Sequence, residues 1–215
     1  MKILFCGYRK WSHDILNQLR KQTKHTFDLA IGPSELTAQK ASQYDVILVV
    51  GWSWLIEKEI VENNYVIGMH PSKLPDYAGG SPIQHQIIDG LEYSHVTLFK
   101  LTPNFDDGML ISMYEYSLQG HLNDVLKNIS IATFELIQLF LTNYPNIILV
   151  PQGHKGIKKR RLKPEQSQLS KLQFQELTCK ELWNHIRCRE DPYPNVFIKD
   201  ETGKLIISVV EFEPL

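Results

Sequence analysis

The run Asp45-Val46-Ile47-Leu48-Val49-Val50 constrains this chain more than any other stretch: after Asp45 every residue is aliphatic, most are β-branched, and Gly51 closes the run. A strand apolar on both sides has to be covered on both faces, as in a parallel sheet flanked by helices. Ile3 to Gly7 and Phe27 to Ile31 read the same way, and so does Tyr65 to Met69. Helical spacing separates these runs. Trp11, Ile15 and Leu19 mark a helix through Gln22, Ser34 can cap a short helix to Gln43, and Ile56 to Asn63 forms another. This alternation predicts an α/β fold with a doubly wound, mostly parallel, Rossmann-like sheet. The first β-α turn offers Gly7-Tyr8-Arg9 in place of G-x-G-x-x-G, so a dinucleotide site of the usual kind is not expected.

Further along, Ser94 to Leu101 and Met109 to Tyr116 read as an outgoing and a return strand. Residues 121–142 follow as a long amphipathic helix whose buried side is marked by Val125, Ile129, Ala132, Leu136, Leu139 and Phe140. Asn143-Tyr144-Pro145 ends it. Beyond Pro151 the composition turns basic and polar. Leu177 to Arg187 reads as a helix, and Tyr193 to Ile198 with Lys204 to Val210 as a hairpin turning at Asp200-Glu201-Thr202-Gly203. The expectation is a catalytic core over residues 1–150, then a linker and a small helix-plus-hairpin subdomain over residues 151–215.

Composition narrows the function classes. Hydrophobic content of 43% and charged content of 22% are ordinary for a globular chain. A formal net charge of −1 does not suggest a large nucleic-acid footprint. The basic cluster Lys155, Lys158, Lys159, Arg160, Arg161 and Lys163 reads as a solvated linker or, more sharply, as a phosphate contact. Cys6, Cys179 and Cys188 are odd in number and scattered, which fits a reducing cytosol rather than a metal or disulfide framework. Met1 to Cys6 is too short for a signal peptide, and no apolar run approaches the roughly 20 residues that span a bilayer. A cytoplasmic chain without a metal follows as the expectation. His13, His25, His85, His95, His121, His154 and His185 have no ligand spacing.

The chemistry concentrates in Gly68-Met69-His70-Pro71-Ser72-Lys73-Leu74-Pro75-Asp76-Tyr77-Ala78-Gly79-Gly80-Ser81-Pro82-Ile83-Gln84. His70 stands at the end of a strand. Two prolines and two glycines then forbid regular structure, and Pro82 suits the first turn of a helix carrying Ile83, Ile87 and Ile88. Such a corner lies at the carboxyl ends of the strands, where ligands bind in open α/β sheets. Gly51-Trp52-Ser53-Trp54 follows its own strand and faces the same crevice, with Trp52 the better platform for a flat ligand. A second carboxylate-bearing loop, Thr102-Pro103-Asn104-Phe105-Asp106-Asp107, is relieved by Gly108.

His-Pro-Ser-Lys-Leu-Pro with Gly79 and Pro82-Ile83, and Val96-Thr97 followed nine positions later by Asp106-Asp107-Gly108, resemble the paired signature of formyltransferases that use 10-formyltetrahydrofolate. The tail is similar too, in Arg160-Arg161-Leu162-Lys163-Pro164, Ile186-Arg187 and Pro192-Tyr193-Pro194. The resemblance covers most of residues 1–210 and is densest from 66 to 111. It implies His70 and Asp106 as catalytic residues, with Asp107 a turn residue. It implies Trp52, Ser53, Trp54, Leu55, Thr102, Phe105 and Asp106 at the 10-formyltetrahydrofolate co-substrate, where the 51–54 loop gives backbone contacts to the pterin. Ser72, Lys73, Tyr77, Gly79 and Gly80 are implied at the acceptor, though Ser72 could as well brace the loop. One departure stands out. The family places Asn two residues before the histidine, where it helps hold the formyl oxygen, and this chain has Gly68. Either a backbone N–H, a water or another side chain such as Asn104 supplies that donor, or activity is weak or lost.

Formyl transfer is acyl transfer to an amine, and it needs an oxyanion donor, a proton acceptor and exclusion of water. An imidazole titrating near neutral pH can donate or move the proton, and a carboxylate can orient it. The expected acceptor is the amine of a nucleotide-linked amino sugar, such as a dTDP- or UDP-linked 4-amino-4,6-dideoxyhexose. The tail looks short for the separate barrel of methionyl-tRNA formyltransferase, and the net charge speaks against tRNA. The rivals are a formyltransferase acting on methionyl-tRNA or another amine, a non-catalytic binding protein that has lost its Asn, and a hydrolase releasing formate. No membrane or nucleic-acid partner is expected, and a homodimer stays open.

Overall fold

The computed structural model describes residues 1–154, 156 and 158–214. Four strands, β1 (Lys2–Cys6), β2 (Thr26–Ala30), β3 (Val46–Val49) and β4 (Val66–His70), lie in parallel. β5 (Tyr93–Lys100) runs against β4, and β6 (Leu110–Ser117) runs against β5, so the sheet order is β2-β1-β3-β4-β5-β6. The fold is α/β with a mostly parallel central sheet, as the apolar runs predict.

Period two sorts each central strand between two cores. Ile3, Phe5, Val46, Leu48 and Val50 join one core, which α1 (Lys10–Gln22) closes with Ile15, Leu16 and Leu19 and α5 (Leu122–Asn143) closes with Val125, Ile129 and Ile137. Leu4, Cys6, Ile47 and Val49 face the other, which α2 (Ala38–Ala41) and α3 (Lys58–Asn63) cover through Ala41, Ile60 and Val61. Each fully buried aliphatic side chain contributes about 1.5–3 kcal/mol, which is why an all-apolar strand settles in the middle of the sheet.

Three local expectations are corrected. Ser34 caps nothing: Pro33 starts a one-turn 3-10 helix, and Thr37 caps α2 by accepting the Lys40 N–H at 3.2 Å. Leu139 is 54% exposed, because at 100° per residue it falls off the rim of the α5 stripe, and Ile137 is buried instead. By length and composition α5 is also apolar enough to cross a membrane, contrary to the sequence reading; here its apolar side packs on the sheet.

Past the core come α6 (Lys171–Glu176), α7 (Cys179–Arg187) and the hairpin of β7 (Val196–Lys199) with β8 (Lys204–Ile207). Thr178 and Glu181 form the capping box that starts α7 two residues later than its apolar pattern suggests. Arg187 ties this segment down by donating to the Leu118 and Gly120 carbonyls at 2.6 and 2.8 Å. Glu190 accepts from the Leu122 N–H at 2.9 Å and meets His121 Nδ1 at 2.7 Å, while Cys188 is buried in the main core.

Candidate active site

His70 is the last residue of β4, paired across the sheet with Thr97 of β5. The loop that follows is held by side chains from β5, β6 and α4 (Pro82–Ile88). Thr97 is fully buried; its hydroxyl donates to the Ser72 carbonyl at 2.6 Å and accepts the Leu74 N–H at 3.3 Å. Gln86 donates to the Pro71 and Pro82 carbonyls at 2.8 and 2.9 Å and is itself held by Ser94. Tyr116 donates to the same Pro71 carbonyl at 3.0 Å, and burial raises its phenol above the ordinary tyrosine value. Backbone groups that a loop would otherwise leave unpaired in the interior are satisfied, so His70 projects from a rigid corner.

Asp106 arrives from the β5–β6 loop in a left-handed conformation, φ 51°, which costs a non-glycine residue on the order of 1–3 kcal/mol. Gln152 holds it there by donating to the Asp106 and Gly108 carbonyls, both at 2.9 Å. Gly108 has to be glycine, since a Cβ would lie 1.7 Å from the Lys100 carbonyl. One carboxylate oxygen of Asp106 accepts the Gly79 N–H at 2.7 Å, and the other lies 3.6 Å from His70 Nδ1. His70 Nε2 points at the Tyr77 carbonyl, 3.1 Å away. A carbonyl only accepts, so Nε2 carries a proton and Nδ1 is the atom left for chemistry. A separation of 3.6 Å is too long for a direct hydrogen bond. It lets two acceptors, Nδ1 and Oδ1, converge on one small donor between them.

Both groups line a cleft of about 470 Å³, within the size range of small-molecule sites. Trp52, Ser53, Trp54, Leu55, Thr102, Phe105, Gly79 and Gly80 line it as well. Trp54, Leu55 and Phe105 give it an exposed apolar rim, and Trp52 meets Trp54 edge-on at 5.0 Å. Ser53 shares a 2.7 Å hydrogen bond with Tyr8.

Three expected acceptor residues lie elsewhere. Ser72 is fully buried and donates to the Asp76 carbonyl at 2.6 Å, so it braces the loop. Lys73 is exposed and does not line the cleft. Tyr77 donates to Asp89 at 2.9 Å; burial first, and that carboxylate second, push its phenol up to about 12. Gly79 and Gly80 are small because the 159–161 backbone passes against them. A Cβ at Gly79 would sit 2.3 Å from the Lys159 carbonyl, and one at Gly80 would sit 2.5 Å from Arg161 Cα.

That close approach brings Lys158, Lys159 and Arg161 into the cleft wall, which charge counting alone did not reveal. Lys155, part of the same basic run, lies outside the described residues. Gly68 is also explained. A Cβ there would meet Leu101 Cδ1 at 2.3 Å and two ring atoms of Phe99 at 3.0 Å, so apolar side chains fill the space an Asn would need. Asn104 lines the cleft, with its amide nitrogen 3.3 Å from Asp107. Among the described residues no group of three or more His, Cys, Asp or Glu could hold a metal ion.

Residues 32–121 match the formyl transferase family model. The methionyl-tRNA formyltransferase of Fervidobacterium nodosum is 31% identical over 112 residues, 51% of this chain and 36% of that protein. The chain spans only about a third to a half of the length of the curated relatives it matches. Among solved structures, a methionyl-tRNA formyltransferase from Clostridium thermocellum superposes with a TM-score of 0.90 at 26% identity, covering 99% of this chain and 94% of that one. A 4-N formyltransferase from Francisella tularensis shares the fold at TM-score 0.83 and 17% identity, over 100% and 98% of the two chains. Residues 32–121 thus match the formyl transferase family, and the chain shares the fold of the Clostridium methionyl-tRNA formyltransferase over its described length.

Proposed function

We propose that this chain moves a formyl group from 10-formyltetrahydrofolate to the amine of a nucleotide-linked amino sugar. The observation that carries the reading is the convergence of His70 Nδ1 and Asp106 Oδ1, 3.6 Å apart, on a cleft with an apolar aromatic rim. A primary amine attacking a formyl carbon has two N–H bonds to place, and the two acceptors fit them. The new C–N bond forms, the bond to the folate nitrogen breaks, and the proton shed by the amine returns to that nitrogen through His70. The rigid corner holds the geometry, which is where much of the rate advantage of acyl transfer arises. Trp52 and the rim residues suit a flat pterin and exclude water. Asn104 is the side-chain amide in the cleft able to take the oxygen-holding role that Gly68 cannot.

The acceptor follows from charge and volume: small molecules fit the cleft, and its cations suit phosphates. Formyl transfer assayed against a panel of nucleotide-amino sugars and methionyl-tRNA tests the reading. The expected outcome is turnover on a nucleotide-amino sugar that falls by about 100- to 10,000-fold in His70→Asn and Asp106→Asn. Turnover on tRNA alone would overturn the acceptor. Folate binding without turnover on any amine would favour the non-catalytic alternative.

A further inference from the structure

We propose that Gln152 is a positioning residue for formyl transfer: it acts through the backbone of Asp106 and sets the direction of that carboxylate. The proposal deepens the formyl-transfer reading and rests on it for the rate effects below, though not for the geometry. The loop that carries Asp106 has little else to hold it. Phe105 and Asp107 on either side are exposed, so burial does not fix the segment. Lys158 Nζ donates to the Phe105 carbonyl at 2.9 Å, but from an exposed side chain on a flexible stem.

The sheet itself delivers Gln152. Val150 pairs antiparallel with Leu110, the first residue of β6, and the two exchange backbone hydrogen bonds of 2.7 and 2.9 Å. Carried two residues further, that register sets position 152 opposite Gly108. There the side chain takes over from the backbone ladder. Both partners of the Gln152 nitrogen, the Asp106 and Gly108 carbonyls at 2.9 Å, only accept, so the carboxamide has one usable orientation and spends both of its N–H bonds. Two carbonyls two residues apart converge on one nitrogen while residue 106 keeps its left-handed turn. Released from it, residue 106 has the extended and right-handed regions open, which a non-glycine residue favours. Either would swing the carboxylate away from the Gly79 N–H, now at 2.7 Å, and from His70 Nδ1, now at 3.6 Å. A misplacement of about 1 Å costs acyl transfer on the order of 100-fold.

Steady-state kinetics and amide hydrogen exchange on the full chain test the assignment. Gln152→Met keeps the length and removes both donors. Its kcat should fall by about 10- to 100-fold, with KM for the folate within about threefold of wild type. In an Asp106→Asn background the same substitution should change kcat by less than about twofold, because the group it positions is already gone. In the unliganded protein the Gly79 amide should exchange at least about tenfold faster in Gln152→Met. The neighbouring Gly80 amide, which donates to the Lys159 carbonyl at 2.9 Å, should stay protected and shows that the variant folds. Gln152→Glu, which offers no donor once ionised, is the second variant and should lose at least as much at neutral pH.

An equal loss of kcat in both backgrounds overturns the proposal, since Gln152 would then act elsewhere than through Asp106. Exposure of Gly79 and Gly80 together overturns it as well, leaving a general bracing role. So does a Gly79 amide as protected in both variants as in wild type. Faster exchange at Gly79 alone, in a protein that transfers formyl to no amine, keeps the positioning of Asp106 and removes the formyl-transfer reading.

Discussion

Putting the family's Asn back at position 68 should fail alone and succeed better in company. In Gly68→Asn the new Cβ lies 2.3 Å from Leu101 Cδ1 and 3.0 Å from Phe99 Cε1 and Cζ. Carbon contacts are comfortable at about 3.5–4.0 Å, so Leu101 has to retreat by more than 1 Å. The end of Leu101 is flexible and the residue only half-buried, but Phe99 is buried in the core and closes the other side. Overpacking of this kind costs about 1–3 kcal/mol. Leu101→Ala alone should cost about 1–2 kcal/mol, less than a fully buried Leu would. In the double variant the Leu101 clash is gone and only the Phe99 contacts at 3.0 Å remain, so the two losses should not add. Urea unfolding of all four proteins gives the cycle, with an expected coupling of about 1–2 kcal/mol in favour of the pair. On the same reasoning, turnover is unimproved in Gly68→Asn and rises only in the double variant, by up to about 100-fold if the amide regains an oxyanion contact. Additivity within about 0.5 kcal/mol would refute the claim that Leu101 occupies the Asn position.

Other consequences are equally direct. Thr97→Val should strand the Leu74 N–H and the Ser72 carbonyl, costing about 1–3 kcal/mol, and should lower turnover more than folate affinity; turnover equal to wild type would contradict the bracing role. His121 is raised above its ordinary 6.5 first by its hydrogen bond to Glu190 and also by Glu211. A raised folded-state value means its stabilisation is complete below about 6.5 and is lost as the pH climbs through the raised value, so stability should fall as the pH rises above about 6.5 and His121→Gln should flatten that slope in urea titrations. Burial pushes the Cys6 thiol up to about 12 and the Cys188 thiol up to about 11, whereas Cys179 is exposed. A maleimide should therefore label Cys179 alone in the native protein, and three labels should appear only on unfolding.

Much of this was legible in the chain. The all-apolar strand at 46–49 and the corner at His70 announced the sheet and the site because burial on both faces and Pro/Gly punctuation are local signals. Asp106 was singled out through the resemblance of Val96-Thr97 and Asp106-Asp107-Gly108 to the family's paired signature; in the structure Thr97 pins the His70 loop while Gly108 lets the chain turn Asp106 back toward it. What escaped was contact between distant segments. Side-chain direction in an irregular loop has no period, so nothing in Pro71 to Ser81 said that Ser72 points inward and Tyr77 toward Asp89. The basic run read as a solvated linker or a phosphate contact without a place in the fold, because its approach to Gly79 and Gly80 is a tertiary event. Leu101 filling the Gly68 position is likewise visible only when β4 and the end of β5 are seen side by side.

The most direct test is a crystal structure with a non-hydrolysable 10-formyltetrahydrofolate analogue and a nucleotide-amino sugar bound together. The acceptor nitrogen is expected between His70 Nδ1 and Asp106 Oδ1, at about 2.6–3.2 Å from each, with the formyl-bearing nitrogen on the Trp52 side of the cleft. An acceptor nitrogen out of reach of either group, or a folate bound outside this cleft, would contradict the account.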